Sequence, residues 1–112
     1  MDLSRLIRPF RKGPSLEKIW SEVERGEALL IDVRSQEEWE AGHVTFAHHF
    51  PTSALQKGHL PDHLPKDKIL YLHCQSGGRV RRVLPLMKRA FPRVVPLRYN
   101  VADFRSAGWP VR

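Results

Sequence analysis

A single cysteine, Cys74, lies where an apolar segment meets a short polar one. Residues 69–73 are almost entirely apolar, which predicts a short strand buried on both faces, as in parallel sheets covered by helices. Apolar residues from Val80 to Phe91 then recur at helical spacing. The predicted order is therefore strand, tight loop and helix, with this loop between them: Gln75, Ser76, Gly77, Gly78 and Arg79.

This loop has the properties of an anion site. Gly77 and Gly78 let the backbone turn its N–H groups inward, and the helix that follows adds the positive end of its dipole. Arg79 adds a guanidinium that can bind two oxygens at once. A thiol held there should lose its proton readily, and the thiolate is the nucleophilic form. The pattern predicts that Cys74 attacks an anionic substrate, although a buried cysteine beside an ordinary turn would also fit.

Length, composition and charge narrow the class of protein. The chain has 112 residues, of which 41% are hydrophobic and 28% are charged, as expected for one globular domain. One cysteine permits no internal disulfide and no cysteine-rich zinc site. Neither a signal-peptide segment nor the ~20 apolar residues of a membrane span is evident. We expect a monomer in the reducing cytoplasm, with no membrane association and no cofactor.

The net charge of +7 is concentrated in two segments. Residues 1–13 contain four basic side chains and one acidic one, and are interpreted as a basic N-terminal arm. Residues 79–112 contain nine basic side chains and one acidic one. This distribution suits an anionic substrate or an acidic partner. Nucleic acid is disfavoured because the arginines are not interleaved with aromatic residues in a recognisable pattern.

Strands and helices alternate along the rest of the chain. Ser15 is predicted to cap a helix that ends near Gly26, and Leu29–Val33 is predicted to be a strand. Ser35 and Glu38 form a capping box. Further strands are predicted at 44–50 and 93–97, a short helical turn within 51–68, and a helix at 101–107. An α/β domain around a mostly parallel sheet follows, with ligands expected at the carboxyl ends of the strands.

One charged residue and two prolines fall at positions that need a structural explanation. Asp32 lies inside an apolar strand and requires a partner, for which Arg34 and Arg79 are candidates. Pro85 falls inside the predicted helix and Pro96 inside a predicted strand, and neither position is usual for proline.

Several of these segments together resemble one known family. Leu30-Ile31-Asp32-Val33-Arg34, Glu37-Glu38-Trp39, Gly42-His43-Val44 and the loop from Cys74 to Arg79 occur in the order seen in rhodanese-like domains, the sulfurtransferase family. The resemblance covers about residues 15–110, so we interpret residues 14–112 as a rhodanese-like domain. It implies a central five-stranded parallel sheet with helices on both faces.

The resemblance also implies a reaction. Cys74 would take a sulfane sulfur from thiosulfate or another persulfide donor, become a persulfide, and pass the sulfur to a thiol or protein acceptor. The backbone from Gln75 to Arg79 would cradle that persulfide, and Arg79 would help to place the anionic donor. Cysteine-dependent phosphatases resemble the same fold but place five residues between cysteine and arginine. This chain has only four, which favours sulfur transfer.

Two positions depart from the family pattern, and one alternative function remains. Phe46-Ala47 and Tyr99-Asn100 replace residues that are usually Gly-Ala and Gly-Gly. The second pair is expected near the rim of the site, where it would narrow the mouth or change the acceptor. The alternative is a binding module that docks an acidic partner through residues 79–112, with Cys74 incidental. The six histidines lack the companions of a metal site, so none is predicted. His73 is expected to point away from Cys74.

Overall fold

The computed structural model describes residues 12–112, so residues 1–11 of the predicted N-terminal arm lie outside the described residues. Helices and strands alternate, as the sequence predicts. The elements are α1 (Leu16–Glu24), β1 (Ala28–Asp32), α2 (Gln36–Ala41), β2 (His48–His49), α3 (Thr52–Gln56), β3 (Ile69–His73), α4 (Gly78–Ala90), β4 (Val94–Pro96) and α5 (Val101–Ser106).

The strands form one parallel sheet in the order β2-β1-β3-β4. Within the described residues the sheet has four strands, whereas the resemblance implied five. The strand predicted over 44–50 is also shorter than expected. Val44 makes a single antiparallel bridge with Val111 near the C-terminus, and the chain then turns before His48 pairs with β1. One segment therefore contacts two different parts of the fold and cannot be a continuous strand.

Two apolar layers cover the sheet. On one face, side chains from α3 and α4, among them Leu55, Val83 and Met87, pack against Ile31 and Leu72 of the central strands. The opposite layer is rich in aromatic side chains. It combines residues of α1, β3, α5 and the segment after α5: Ile19, Tyr71, Phe104 and Trp109. Burying each large aliphatic side chain contributes about 1.5 to 3 kcal/mol. β1 and β3 are thus buried on both sides, as their apolar sequences predict.

The helix ends follow the predicted capping residues. The Ser15 hydroxyl accepts from the Lys18 N–H at the start of α1. The capping box of α2 is present, since Ser35 and Glu38 each accept from the other's backbone N–H. No helix among residues 12–112 combines the length and the apolar character needed to cross a bilayer.

The two unexpected prolines occupy positions that tolerate them. Pro85 lies on the solvent-exposed side of α4, where the carbonyl that loses its helical partner can bind water. Pro96 lies on the edge strand β4. The N–H of Leu97 and the carbonyl of Arg93 bond to β3, so in the alternation of a strand the nitrogen of Pro96 faces away from the sheet.

A buried ion pair closes the carboxyl end of β1. Asp32 is fully buried and Arg34 is 5% exposed. Arg34 Nε and Nη2 donate to the Asp32 carboxylate at 3.0 and 2.8 Å, and Nη2 also donates to the carbonyl of Gly42 at 2.7 Å. Of the two candidate partners for Asp32, Arg34 is the one that the structure shows. The pair ties β1 to the far end of α2.

We predict that Asp32→Asn lowers the free energy of unfolding by about 3 kcal/mol, because it leaves the buried Arg34 cation unpaired. Urea denaturation at neutral pH measures this change. Glu27→Gln is the control, because its ion pair with Arg25 is exposed and screened by solvent. A loss in Asp32→Asn no larger than in the control would contradict this role of the pair.

Candidate functional site

Cys74 directly follows the last residue of β3 and is only 1% exposed. Its thiol is free of any disulfide, and the Gly77 N–H points at its Sγ at 3.1 Å. Gln75 and Ser76 are exposed, so the loop rises to the surface and returns to the buried Gly77. The sulfur atom therefore lies beneath its own loop, with a backbone donor directed at it.

Gly77 makes this short return possible. Its φ of +92° lies in the left-handed region, where a Cβ would be strained. A methyl group there would also come within 3.3 Å of Arg98 Cγ, which lies against the loop. Gly77 precedes α4, and the first N–H groups of a helix have no partner within it. The backbone of Gly78 and Arg79 therefore offers donors and the positive end of the α4 dipole beside Cys74.

Arg79 is held by a carboxylate from another helix. Its Nη1 and Nη2 donate to the two oxygens of Glu38 on α2, the second at 2.9 Å. The Arg79 guanidinium lowers the pKa of Glu38 to about 2, with further help from the hydrogen bonds of Ser35. A guanidinium has five N–H groups, so donors remain for a second anion. Glu38 therefore neutralises part of the charge of Arg79 and fixes the orientation of its guanidinium group.

His73 lies on the other face of β3 from Cys74. Its ring packs edge-on against Phe104 and lies 3.6 Å from an oxygen of Asp32. Burial lowers the pKa of His73 to about 4, and the Asp32 carboxylate offsets only part of this effect. Neither ring nitrogen has a hydrogen-bond partner among the described residues. A neutral ring that faces away from the thiol agrees with the prediction that His73 points away from Cys74.

Two small recesses flank the start of α4. The first, of about 250 Å³, is lined by Arg79 and Arg82 together with the loop after β1 and the start of α3. The second, of about 270 Å³, is called the loop recess here and is lined by residues 12–13, 76–77, 80–81 and 96–98. Both recesses lie at the carboxyl edge of the sheet, where ligands of parallel α/β folds bind.

Tyr99 and Asn100 do not narrow either recess, contrary to the expectation. The Tyr99 hydroxyl donates to the Pro14 carbonyl at 2.9 Å, and its ring belongs to the aromatic layer on the opposite side of the sheet from Cys74. Asn100 caps α5 in a capping box with Asp103. A larger cavity of about 770 Å³ lies beside Tyr99, Trp20 and Trp109, and none of the residues from Cys74 to Arg79 lines it.

Two of the histidines, His43 and His49, have structural contacts. The Trp39 ring is stacked between His43 and His49, with centroid distances of 3.6 and 4.7 Å. His43 and His49 also bond to backbone carbonyls of Trp39 and Arg34. Across residues 12–112, no three residues of types His, Cys, Asp and Glu are grouped so that they could hold a metal ion.

The residues predicted from the sequence to act together lie next to one another, but only Cys74 to Gly77 form the loop, because Gly78 and Arg79 already belong to the first turn of α4. Two contacts of these residues were missed. Glu38 was recognised only as a capping residue, although its carboxylate also binds Arg79. Arg98 was counted only among the basic residues of the C-terminal third, although it packs on Gly77. Both contacts join residues far apart in sequence, and no local pattern signals them.

Comparisons with known proteins agree with this geometry. The family model described as "Rhodanese-like domain" matches residues 15–107. A probable adenylyltransferase/sulfurtransferase, MoeZ of Mycobacterium tuberculosis, is 36% identical over 61 residues, which are 54% of this chain and 16% of that protein. The uncharacterized protein YqhL of Bacillus subtilis is 36% identical over 62 residues, 55% of this chain and 48% of its own. The chain therefore spans less than half of either relative.

A solved structure shows the same fold. The human single-domain sulfurtransferase TSTD1 superposes with a TM-score of 0.70 over 85% of this chain and 96% of its own, at 23% sequence identity. At this identity the likeness concerns the fold.

We predict that Glu38→Gln lowers the free energy of unfolding by about 1 kcal/mol at pH 7, a figure reduced for the partial exposure of the pair. Glutamine can still accept from the Ser35 N–H, so the change isolates the charge. Because the folded-state pKa is depressed, the stabilisation is present above about pH 4.5 and is lost as the pH falls towards 2. Urea denaturation of both proteins from pH 7 to 2.5 should show the difference shrinking. Glu40→Gln, on the exposed side of α2, is the control, and a constant difference across this range would contradict the assignment.

Proposed function

The chain belongs to the family of rhodanese-like domains, and from that premise we propose that it is a sulfurtransferase that carries a sulfane sulfur on Cys74. The donor in this proposal is thiosulfate or another small anionic sulfur compound. The acceptor is a thiol, either free or on a protein.

One observation carries the proposal: the Cys74 sulfur lies under a loop whose Gly77 N–H is directed at it from 3.1 Å. A donor aimed at a cysteine sulfur stabilises negative charge on that sulfur and on an atom bound to it. The start of α4 adds dipole stabilisation to the same position. These are the requirements of a thiolate nucleophile and of a persulfide anion.

The chemistry balances without any oxidant. The Cys74 thiolate attacks the outer sulfur of thiosulfate, the sulfur–sulfur bond of the donor breaks, and sulfite leaves with the electron pair. Cys74 then carries a persulfide. An acceptor thiolate attacks the terminal sulfur, and Cys74 departs as a thiolate. Each step breaks one sulfur–sulfur bond and forms another, so neither step needs an oxidant or a reductant.

The loop residues divide the remaining tasks. In this proposal the backbone of Gln75, Ser76, Gly77 and Gly78 surrounds the transferred sulfur. Arg79 binds the sulfite portion of the donor with the N–H groups that Glu38 leaves available. The loop has four residues between cysteine and arginine, which suits a single sulfur better than a tetrahedral phosphate.

We expect the reduced protein to gain the mass of one sulfur atom when it is incubated with thiosulfate, and to release that sulfur as thiocyanate when cyanide is added. Intact-mass spectrometry measures the gain, and Cys74→Ser should show none. A wild-type protein that stays unmodified with thiosulfate and with a persulfide donor would reject the proposal. It would favour the alternative, a rhodanese-fold binding module.

Two neighbouring glycines provide a matched pair of variants for the loop. We predict that Gly77→Ala slows sulfur loading by about tenfold or more, because the methyl group displaces the donor to Cys74 and strains the left-handed turn. Gly78→Ala should load within about twofold of wild type, since a Cβ there meets no atom within 4 Å and its φ is ordinary. The initial rate of the mass gain measures both. Equal rates in the two variants would show that the turn at Gly77 does not position the sulfur.

A further inference from the structure

The loop recess lies beside the candidate sulfur site and shares Ser76 and Gly77 with it, but Cys74 is not among its lining residues. Ser76 and Gly77 form one wall, and β4 with the residues after it forms the opposite wall. Its volume of about 270 Å³ exceeds what one inorganic sulfur anion needs. A substrate on Cys74 would therefore leave this space unfilled.

The walls of the loop recess combine apolar surface with positive charge. The apolar part consists of the exposed Pro96 and of Val80 and Leu97, which are only 1% and 0% exposed. Lys12, Arg81 and Arg98 supply the cations. Lys12 is paired with Asp103 at 2.8 Å. Arg81 and Arg98 are exposed, and within residues 12–112 neither guanidinium has a carboxylate partner. Two cations are thus presented beside an apolar floor.

The walls of the recess are held in position. Gly13 lies so close to β4 that a Cβ there would approach a Leu97 methyl group to 2.8 Å. The Arg98 N–H donates to the Lys12 carbonyl at 2.7 Å, and the Arg98 stem rests on Gly77. The side chain of Arg98 therefore lies against the loop that carries the sulfur. An anionic group bound by Arg98 would lie next to that loop.

We propose that the loop recess docks an acidic and partly apolar segment of the protein that accepts sulfur from Cys74, an inference that rests on the function proposed above. The carboxylates of that segment pair with Arg81 and Arg98, and an apolar side chain packs on the exposed ring of Pro96. A small sulfur oxyanion would gain nothing from the apolar floor. A nucleic acid strand would find no aromatic side chain among the lining residues on which to stack a base.

Peptide binding to the reduced, sulfur-free protein tests the docking step alone. The probes are a fluorescent peptide of glutamate, leucine and serine, and a matched peptide with glutamine in place of glutamate. We expect the acidic peptide to bind about tenfold more tightly at low salt, and the preference to shrink at high salt. Fluorescence anisotropy measures both affinities.

Paired charge reversals assign the preference to this recess. Arg81→Glu with Arg98→Glu should abolish the preference for the acidic peptide. Lys88→Glu with Arg89→Glu makes the same change of charge in the last turn of α4 and should preserve it. Equal losses in the two double variants would mean that net charge alone attracts the peptide, which would overturn the proposal. If the first double variant does not fold, Arg81→Gln with Arg98→Gln replaces it.

Sulfur transfer separates this inference from the function on which it rests. The same two peptides, with the serine replaced by cysteine, are given to protein loaded from thiosulfate, and the ratio of their transfer rates is measured. Selective docking without sulfur loading would reject the proposed sulfurtransferase and leave the docking site standing. Loading without a peptide preference would leave the sulfurtransferase standing and reject the docking site. A single-stranded oligonucleotide that displaces the acidic peptide at lower concentration would also overturn the assignment to an acidic protein.

Discussion

A buried carboxylate needs a cationic partner. Much of this site depends on how Asp32, which is fully buried, meets that need. Arg34 satisfies it and, with the same guanidinium, holds the carbonyl of Gly42. Helix α2 lies in the chain between Arg34 and Gly42, so the hydrogen bond between these two residues helps to set its orientation. Glu38 projects from α2 to Arg79. The direction of the loop arginine thus depends, through one short helix, on the charge balance of the central strand.

The sequence predicts well those features that arise from neighbouring residues. The strand before Cys74, the helix after it, the caps at Ser15 and Ser35 and the buried face of α4 each follow from a local pattern. Features that depend on distant segments were missed or misjudged. The strand predicted at 44–50 is interrupted because Val44 pairs with Val111, a residue that no local pattern connects to it.

The site shows the same division between local and distant determinants. Cys74 and its loop could be located from composition and spacing, and Asp32 could be assigned two candidate partners. Packing decides which arginine pairs with Asp32: Arg34 follows it by two residues, just after β1, whereas Arg79 pairs with Glu38. Tyr99 was placed at the rim by analogy with smaller residues in relatives. Its ring instead packs in the aromatic layer, with its centroid 6.0 Å from that of Phe104.

Both borders of the sheet are short, and this has a consequence for how the protein behaves at high concentration. An open strand border can template pairing with a strand of another molecule, which leads to aggregation. Here β2 offers only two residues, and β4 offers three, one of them a proline without an N–H group. The next backbone donor along the β4 edge is the N–H of Arg98, and it already donates to the carbonyl of Lys12. The described domain therefore offers almost no continuous row of unpaired backbone N–H and C=O groups with which a strand of a second chain could pair.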